Sequence, residues 1–153
     1  MRARMKNPAL IVPGVMEALW GVAKALRASE LPMKTINLVL IRASQINGCS
    51  FCLDMHNKEA RRLGESEQRL WAVGAWRESP HFEPGERAAL ELTEYATRLS
   101  DRTGEPVPDD VYARAAEHFD EPQLAALIVN IAMINFWNRL NAVARVPAGT
   151  PLK

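Results

Sequence analysis

The segment from Asp120 to about Arg145 constrains the fold most, because it predicts one long helix that is apolar nearly all round. Asp120 and Gln123 can form a capping box at its start, and Pro122 is tolerated in the first turn. A helix that lacks a broad polar face has to be buried on several sides. The rest of the chain is therefore expected to pack around it.

The remaining segments also show the periodicity of helices. Apolar residues recur at spacings of three and four, and proline, glycine or a capping serine separates one run from the next. No run alternates between apolar and polar residues with hairpin turns at its ends, so we predict an all-α fold. The predicted helices cover about residues 15–26, 32–46, 49–63, 66–79, 84–99, 108–119 and 120–145.

The 153 residues correspond to one domain, and this length can bury a core without disulfides or metals. There is no internal repeat and no low-complexity tract. The clearest loop, DRTGEPVP at residues 101–108, is too short to establish a second domain. We therefore expect residues 1–153 to form a single domain.

Charge and hydropathy exclude several classes of partner. A net charge of +1 gives no basic surface for nucleic acid. The basic and apolar start is interrupted by Pro13, Gly14 and Glu17, so we do not expect a signal peptide. The most apolar stretch contains Asn130 and Asn135 and is too short to span a membrane. These features predict a cytoplasmic protein with no membrane partner.

The stretch NGCSFCLDMH, residues 47–56, contains both cysteines and one of the three histidines. On a helix, Cys49, Cys52 and His56 fall on one face, because residues three and four apart are neighbours. The first turn of a helix stabilises a thiolate, and an imidazole nearby can take the thiol proton. A second thiol one turn away can then close a disulfide. This pattern is typical of thiol redox chemistry.

Two other interpretations of this stretch remain open. Zinc could bind Cys49, Cys52 and His56 if His81, His118 or a carboxylate supplied a fourth ligand. Both cysteines could instead be inert core residues. Attachment of a c-type haem is excluded, because Leu53 occupies the position after the second cysteine where that motif requires histidine.

Polar and aromatic residues elsewhere are expected to be structural. Asparagines and one arginine lie in the apolar last helix and need hydrogen-bond partners within the chain or across a subunit interface. These residues are Asn130, Asn135, Asn138 and Arg139. The aromatic residues Trp71, Trp76 and Trp137 could line a substrate pocket, but aromatic residues at helical spacing are more often in the core, where we expect them.

The sequences IRASQINGCSFCLDMHNKEARRLGE, QRLWAVGAWRESPHFEPGERAALELTEYATRL and INFWNRLNAVAR extend the motif. From about residue 13 to 147 the chain resembles the alkylhydroperoxidase D-like (AhpD-like) proteins of the carboxymuconolactone decarboxylase superfamily. The resemblance implies an all-helical bundle with a redox core at about residues 32–64. It also implies homo-oligomers, commonly trimers or hexamers, and peroxide reduction without flavin, haem or metal.

The resemblance also implies roles for individual residues. Cys52 would be the attacking thiolate that becomes a sulfenic acid. Cys49 would resolve it and can donate a proton to the leaving oxygen, while His56 would relay protons. An external dithiol or a thioredoxin-like partner would then reduce the disulfide.

One position departs from the family pattern. Peroxidases of the family usually carry a glutamate twelve residues before the first cysteine, where this chain has Asn37. An asparagine cannot hold a proton as a carboxylate can, so the relay should activate the cysteine less well. Glu59, one turn from His56, can orient the imidazole instead, although a solvated surface charge is the simpler expectation.

The sequence therefore predicts a thiol-dependent peroxidase of reduced or specialised activity. Two alternatives stay open. One is a decarboxylase-like enzyme, which does not need the cysteine pair. The other is a non-enzymatic, redox-sensing oligomer, for which Asn37 is the main argument.

Overall fold

The computed structural model describes residues 2–101 and 103–151, and these residues form helices and turns without a strand. This confirms the predicted all-α fold. The helices are α1 (Pro8–Ile11), α2 (Val15–Arg27), α3 (Met33–Ile46), α4 (Ser50–Arg62), α5 (Glu67–Ala72), α6 (Pro84–Thr97), α7 (Asp109–Ala116) and α8 (Glu121–Ala144). Short 3-10 turns follow α5 and α6. None of the helices in the described part is both long and apolar enough to cross a membrane.

Helix α3 occupies the centre of the bundle and packs against α4, α6 and α8. Leu38, Val39 and Ile41 are almost completely buried, although they project in different directions from the helix. A helix that is buried on more than one side has to lie between neighbours. The C-terminal end of α3 therefore holds the following turn and the start of α4 in fixed positions.

Helix α8 is less enclosed than the sequence predicts. Leu127 and Ile131 are buried in the core, whereas Ile128 and Val143 are 44% and 66% exposed. The expectation that α8 is buried on several sides is therefore wrong for the single chain. The helices of one chain cover one side of α8 and leave an apolar stripe on the other.

Most helix ends follow the predicted signals. The Ser66 side chain accepts a hydrogen bond from the backbone N–H of Arg69, and Asp120 and Gln123 form the expected capping box. Helix α5 is shorter than predicted, because the chain changes to a 3-10 turn at Val73–Ala75. The predicted loop at 101–108 begins in a 3-10 turn, and its Arg102 lies outside the described residues.

The tryptophans occupy three different environments. Trp76 is buried, as expected, and its Nε1 donates a hydrogen bond to Glu94 at 2.8 Å. Trp71 is 76% exposed, so the prediction that it belongs to the core is wrong. Short α5 buries Leu70 and turns the neighbouring Trp71 outward. Trp137 lines a cavity beside α2.

Candidate active site

A tight turn between α3 and α4 positions the cysteine pair. Helix α3 ends at Ile46 and has Asn47 as its C-cap. Gly48 follows with a positive φ of 65°, a backbone conformation that residues other than glycine rarely adopt. The chain then turns back so that the backbone N–H of Cys49 donates to the Ser44 carbonyl at 3.0 Å. Cys49 consequently caps the N-terminus of α4.

Cys49 and Cys52 are joined by a disulfide, with their Cα atoms 5.4 Å apart. The Cys49 sulfur accepts a hydrogen bond from the Cys52 backbone N–H at 3.3 Å, and the Cys52 sulfur accepts one from Nδ2 of Asn141 at 3.4 Å. Both cysteines are buried. Because each sulfur accepts a hydrogen bond from an N–H group, the same donors would also stabilise a thiolate at either position.

His56 lies one turn after Cys52 on α4, half-buried. Among the described residues no side chain or backbone group hydrogen-bonds to its imidazole. Burial lowers the pKa of His56 to about 4. The ring is therefore neutral near pH 7, and a neutral imidazole can accept a proton from a thiol.

A cavity of about 430 Å³ opens beside Cys52 and His56. Cys52 is one of the residues of its wall, whereas Cys49 is not. Its wall is mostly apolar and is contributed by α2, α3, α4 and α8. The apolar lining residues are Met16, Leu19, Trp20, Ala23, Leu26, Met33, Ile36, Leu40, Phe51, Met55, Met133, Ile134 and Trp137.

Side chains of α8 hold the α3–α4 turn through a network of amides. Nδ2 of Asn47 donates to the amide oxygens of Asn135 and Asn138 at 3.0 and 2.9 Å. Asn138 donates in turn to the Ser44 hydroxyl at 3.1 Å, and Arg139 donates to Asn135. The predicted structural network is confirmed for these residues. Asn130 does not join it, because its amide donates to a backbone carbonyl of α8.

The structure places neither Asn37, at the relay position, nor Glu59, the possible support for His56, on the cavity wall. Asn37 is buried on α3 at 5% exposure but is not among the lining residues. Glu59 is exposed and lies 3.7 Å from Arg62, so it has the solvated environment that the sequence favoured. None of the described lining residues is an aspartate or a glutamate. His56 is thus left without a carboxylate partner on this wall.

The zinc interpretation receives no geometric support. Within residues 2–101 and 103–151, no group of three or more His, Cys, Asp and Glu side chains is placed to hold a metal ion. His81 and His118 lie away from the cavity that contains Cys52 and His56.

Two features of the site were missed in the sequence. Asn141 was not singled out, although it follows Asn138 by three residues in an apolar helix and therefore shares its side. The cavity wall from α2 was also missed, since its apolar spacing predicts an ordinary core-facing helix. A burial pattern along one helix does not show whether the apolar side meets other side chains or a cavity.

Comparison with known proteins agrees with this architecture. The model of the carboxymuconolactone decarboxylase family matches residues 13–95, more than half of the chain. The uncharacterized protein YdfG of Bacillus subtilis is 42% identical over 131 residues, which are 86% of this chain and 87% of YdfG.

Solved structures share the fold. A protein of unknown function from Agrobacterium tumefaciens, suggested to be the antioxidant defence protein AhpD, superposes with a TM-score of 0.87. It is 34% identical, and the match covers 99% of this chain and 100% of that one. The debrominase Bmp8 superposes with a TM-score of 0.75 at 20% identity, and the match covers 90% of this chain and 73% of the Bmp8 chain. At this low identity the likeness shows the fold alone. The chain therefore belongs to the carboxymuconolactone decarboxylase family and has the AhpD-like fold.

Proposed function

We propose that this protein is a thiol-dependent peroxidase that reduces organic hydroperoxides through Cys52 and Cys49. The observation that carries the proposal is that Cys52 and neutral His56 share the wall of one apolar cavity, and that Cys49 forms a disulfide with Cys52. An activated thiol, a base and a resolving thiol are the groups that such a cycle needs.

The reaction begins when His56 takes the Cys52 proton and the thiolate attacks the terminal oxygen of the hydroperoxide. A sulfur–oxygen bond forms, the oxygen–oxygen bond breaks, and the alkoxide receives a proton from His56. Cys49 then attacks the Cys52 sulfenic acid and releases water. In total, the dithiol and ROOH give the disulfide, ROH and water, and an external dithiol or thioredoxin-like protein restores the dithiol.

The assignment of Cys52 as attacker is supported by the cavity, which includes Cys52 and leaves out Cys49. The low pKa of His56 supports its role as a base, because the ring is neutral when it has to accept a proton. The missing carboxylate argues for a slow or specialised enzyme, since a half-buried imidazole without an anionic partner is a weak base.

The test is stopped-flow oxidation of the reduced protein by cumene hydroperoxide, with mass spectrometry of tryptic peptide 43–58, which contains both cysteines. We expect an intramolecular disulfide in the wild type. Cys49→Ser should accumulate a sulfenic acid at Cys52 that dimedone traps, whereas Cys52→Ser should not react. The proposal is wrong if both wild-type thiols stay reduced in millimolar peroxide.

Asn37→Glu tests the departure from the family pattern. We expect the rate constant for peroxide reduction to rise at least about tenfold, because a general base is typically worth 10²–10⁴-fold and a carboxylate buried on α3 would have a raised pKa. Asn37→Gln is the matched control, since it adds the same length without an ionisable group. Equal rates in the two variants would show that the lack of a carboxylate at position 37 is not the reason for weak activity.

The proposal extends to partners and assembly. A thioredoxin-like reductant and a homo-oligomer, a trimer or hexamer, fit the family, and we place the protein in the cytoplasm. A decarboxylase-like activity would not depend on the cysteines. Alkylation of both thiols therefore separates these functions, because it should abolish peroxide reduction and spare decarboxylation.

A further inference from the structure

Asn141 extends from α8 to the cysteine pair. Its Nδ2 is 3.4 Å from the Cys52 sulfur, and its side chain lies on the wall of the cavity. A disulfide sulfur has no hydrogen, so the amide must be the donor in this contact. The residue is only 4% exposed, which keeps water from competing for the bond.

The other atom of the same amide is unpaired. Oδ1 of Asn141 is buried and has no hydrogen-bond partner among the residues that the structure describes. Buried side-chain oxygens in proteins usually have a donor, and an unpaired one typically costs about 1–3 kcal/mol. An unpaired acceptor beside the Cys52 sulfur can be satisfied by a donor on a bound substrate.

We propose that Asn141 is a catalytic residue whose amide N–H holds the Cys52 sulfur and whose amide oxygen accepts the terminal O–H of the hydroperoxide. This rests on the proposed function. One planar amide thereby contacts both reacting atoms, the sulfur that attacks and the oxygen that is attacked. The N–H also stabilises the Cys52 thiolate, because a hydrogen bond to a charged group is stronger than one to a neutral group.

The contact between the Asn141 amide oxygen and the hydroperoxide O–H agrees with where each hydrogen goes in the reaction. The terminal oxygen keeps its hydrogen when it moves to sulfur, because the product is the sulfenic acid S–O–H. Asn141 can therefore accept the same O–H before and after the transfer, while the leaving alkoxide takes its proton from His56. The proposal also defines the substrate as a peroxide with a free O–H.

The experiment uses the Cys49→Ser protein, in which Cys52 is the remaining thiol. Asn141→Leu and Asn141→Asp have side chains close in size to asparagine. Alkylation by iodoacetamide as a function of pH reports the ionisation of Cys52 without peroxide. We expect both variants to shift the midpoint upward by about one pH unit or more, and the aspartate to shift it further through charge repulsion.

The second measurement is oxidation by cumene hydroperoxide at a pH where the thiol is ionised in every variant. We expect the rate constant to fall about 10–100-fold in Asn141→Leu, with alkylation by N-ethylmaleimide at the same pH falling far less, because N-ethylmaleimide has no O–H or N–H for the amide oxygen to hold. Asn57→Leu is the matched control. Its Nδ2 donates to the Leu53 carbonyl on α4, away from the cavity, and both rates should be unchanged.

The outcomes distinguish the two proposals. An unchanged alkylation midpoint in folded Asn141→Leu and Asn141→Asp overturns the role of Asn141 and leaves the peroxidase untouched. Equal losses in the alkylation and oxidation rates overturn the O–H contact. If the parent protein does not react with hydroperoxide at all, the proposed function fails, and the O–H contact fails with it.

Discussion

At the scale of single residues, His56 links the proposed chemistry to stability. Partial burial of the imidazole in the disulfide form lowers its pKa from the ordinary value of 6.5 to about 4, because it disfavours the charged ring. Below pH 6.5 the unfolded chain binds a proton that the folded protein does not bind. The contribution of His56 is therefore fully present above pH 6.5 and is lost as the pH falls toward 4.

We expect the oxidised wild type to lose about 2–3 kcal/mol more in free energy of unfolding than His56→Gln between pH 7.5 and 4.5. Glutamine cannot take up the proton, so the difference between the two proteins isolates this histidine from the carboxylates. Guanidinium unfolding at both pH values measures it. Parallel losses in the two proteins would show that His56 is not buried in the neutral form.

At the scale of elements, the site depends on α8 holding the turn between α3 and α4. The Asn138 side chain is buried and contacts the α3 end of that turn, through Asn47 and Ser44. Asn138→Leu keeps the size of the side chain but removes both contacts. We expect a loss of about 1–3 kcal/mol in the free energy of unfolding, because the buried Ser44 hydroxyl and the half-buried Asn47 amide each lose a partner. Chemical denaturation of reduced protein, with Asn57→Leu as the control, measures the effect, and a change below about 0.5 kcal/mol would contradict it.

The sequence predicted the helices well because their ends depend on local signals. Ser66 and Asp120 cap helices through groups three residues away, and Gly48 sets the turn before Cys49. The positions of the cysteines and His56 on α4 follow from spacing alone. The cavity could not be predicted in this way, because its wall combines four helices that are distant in sequence. The contact between Asn141 and Cys52 joins residues 89 positions apart, and local periodicity contains no information about such a pair.

At the scale of the whole molecule, two of the apolar surfaces that the single chain leaves uncovered lie on α8 and α2. One is the stripe on α8, whose exposed members are Ile128, Val129, Phe136 and Val143. The other is α2, in which no residue is buried although its apolar side closes the cavity, and Trp20 is 68% exposed. Contiguous apolar surface of this kind is typical of contacts between subunits. It gives a physical reason why α8 is apolar nearly all round, and it supports the proposed homo-oligomer.

We expect the wild type to sediment with the mass of a trimer or hexamer, and the double variant Val129→Lys with Val143→Lys to sediment as a monomer. Two ammonium groups placed in an apolar contact would lose their hydration without a partner, which is unfavourable by several kcal/mol. Both side chains are exposed in the single chain, so the substitutions should leave the fold of the monomer intact. Tyr112→Lys is the control, because this exposed aromatic belongs to another helix, α7, and its substitution should not change the mass. Sedimentation velocity over a range of protein concentrations measures the assembly, and circular dichroism checks the fold. An unchanged mass in the double variant would show that the stripe on α8 is not the contact, and a monomeric wild type would show that the apolar surface has another role.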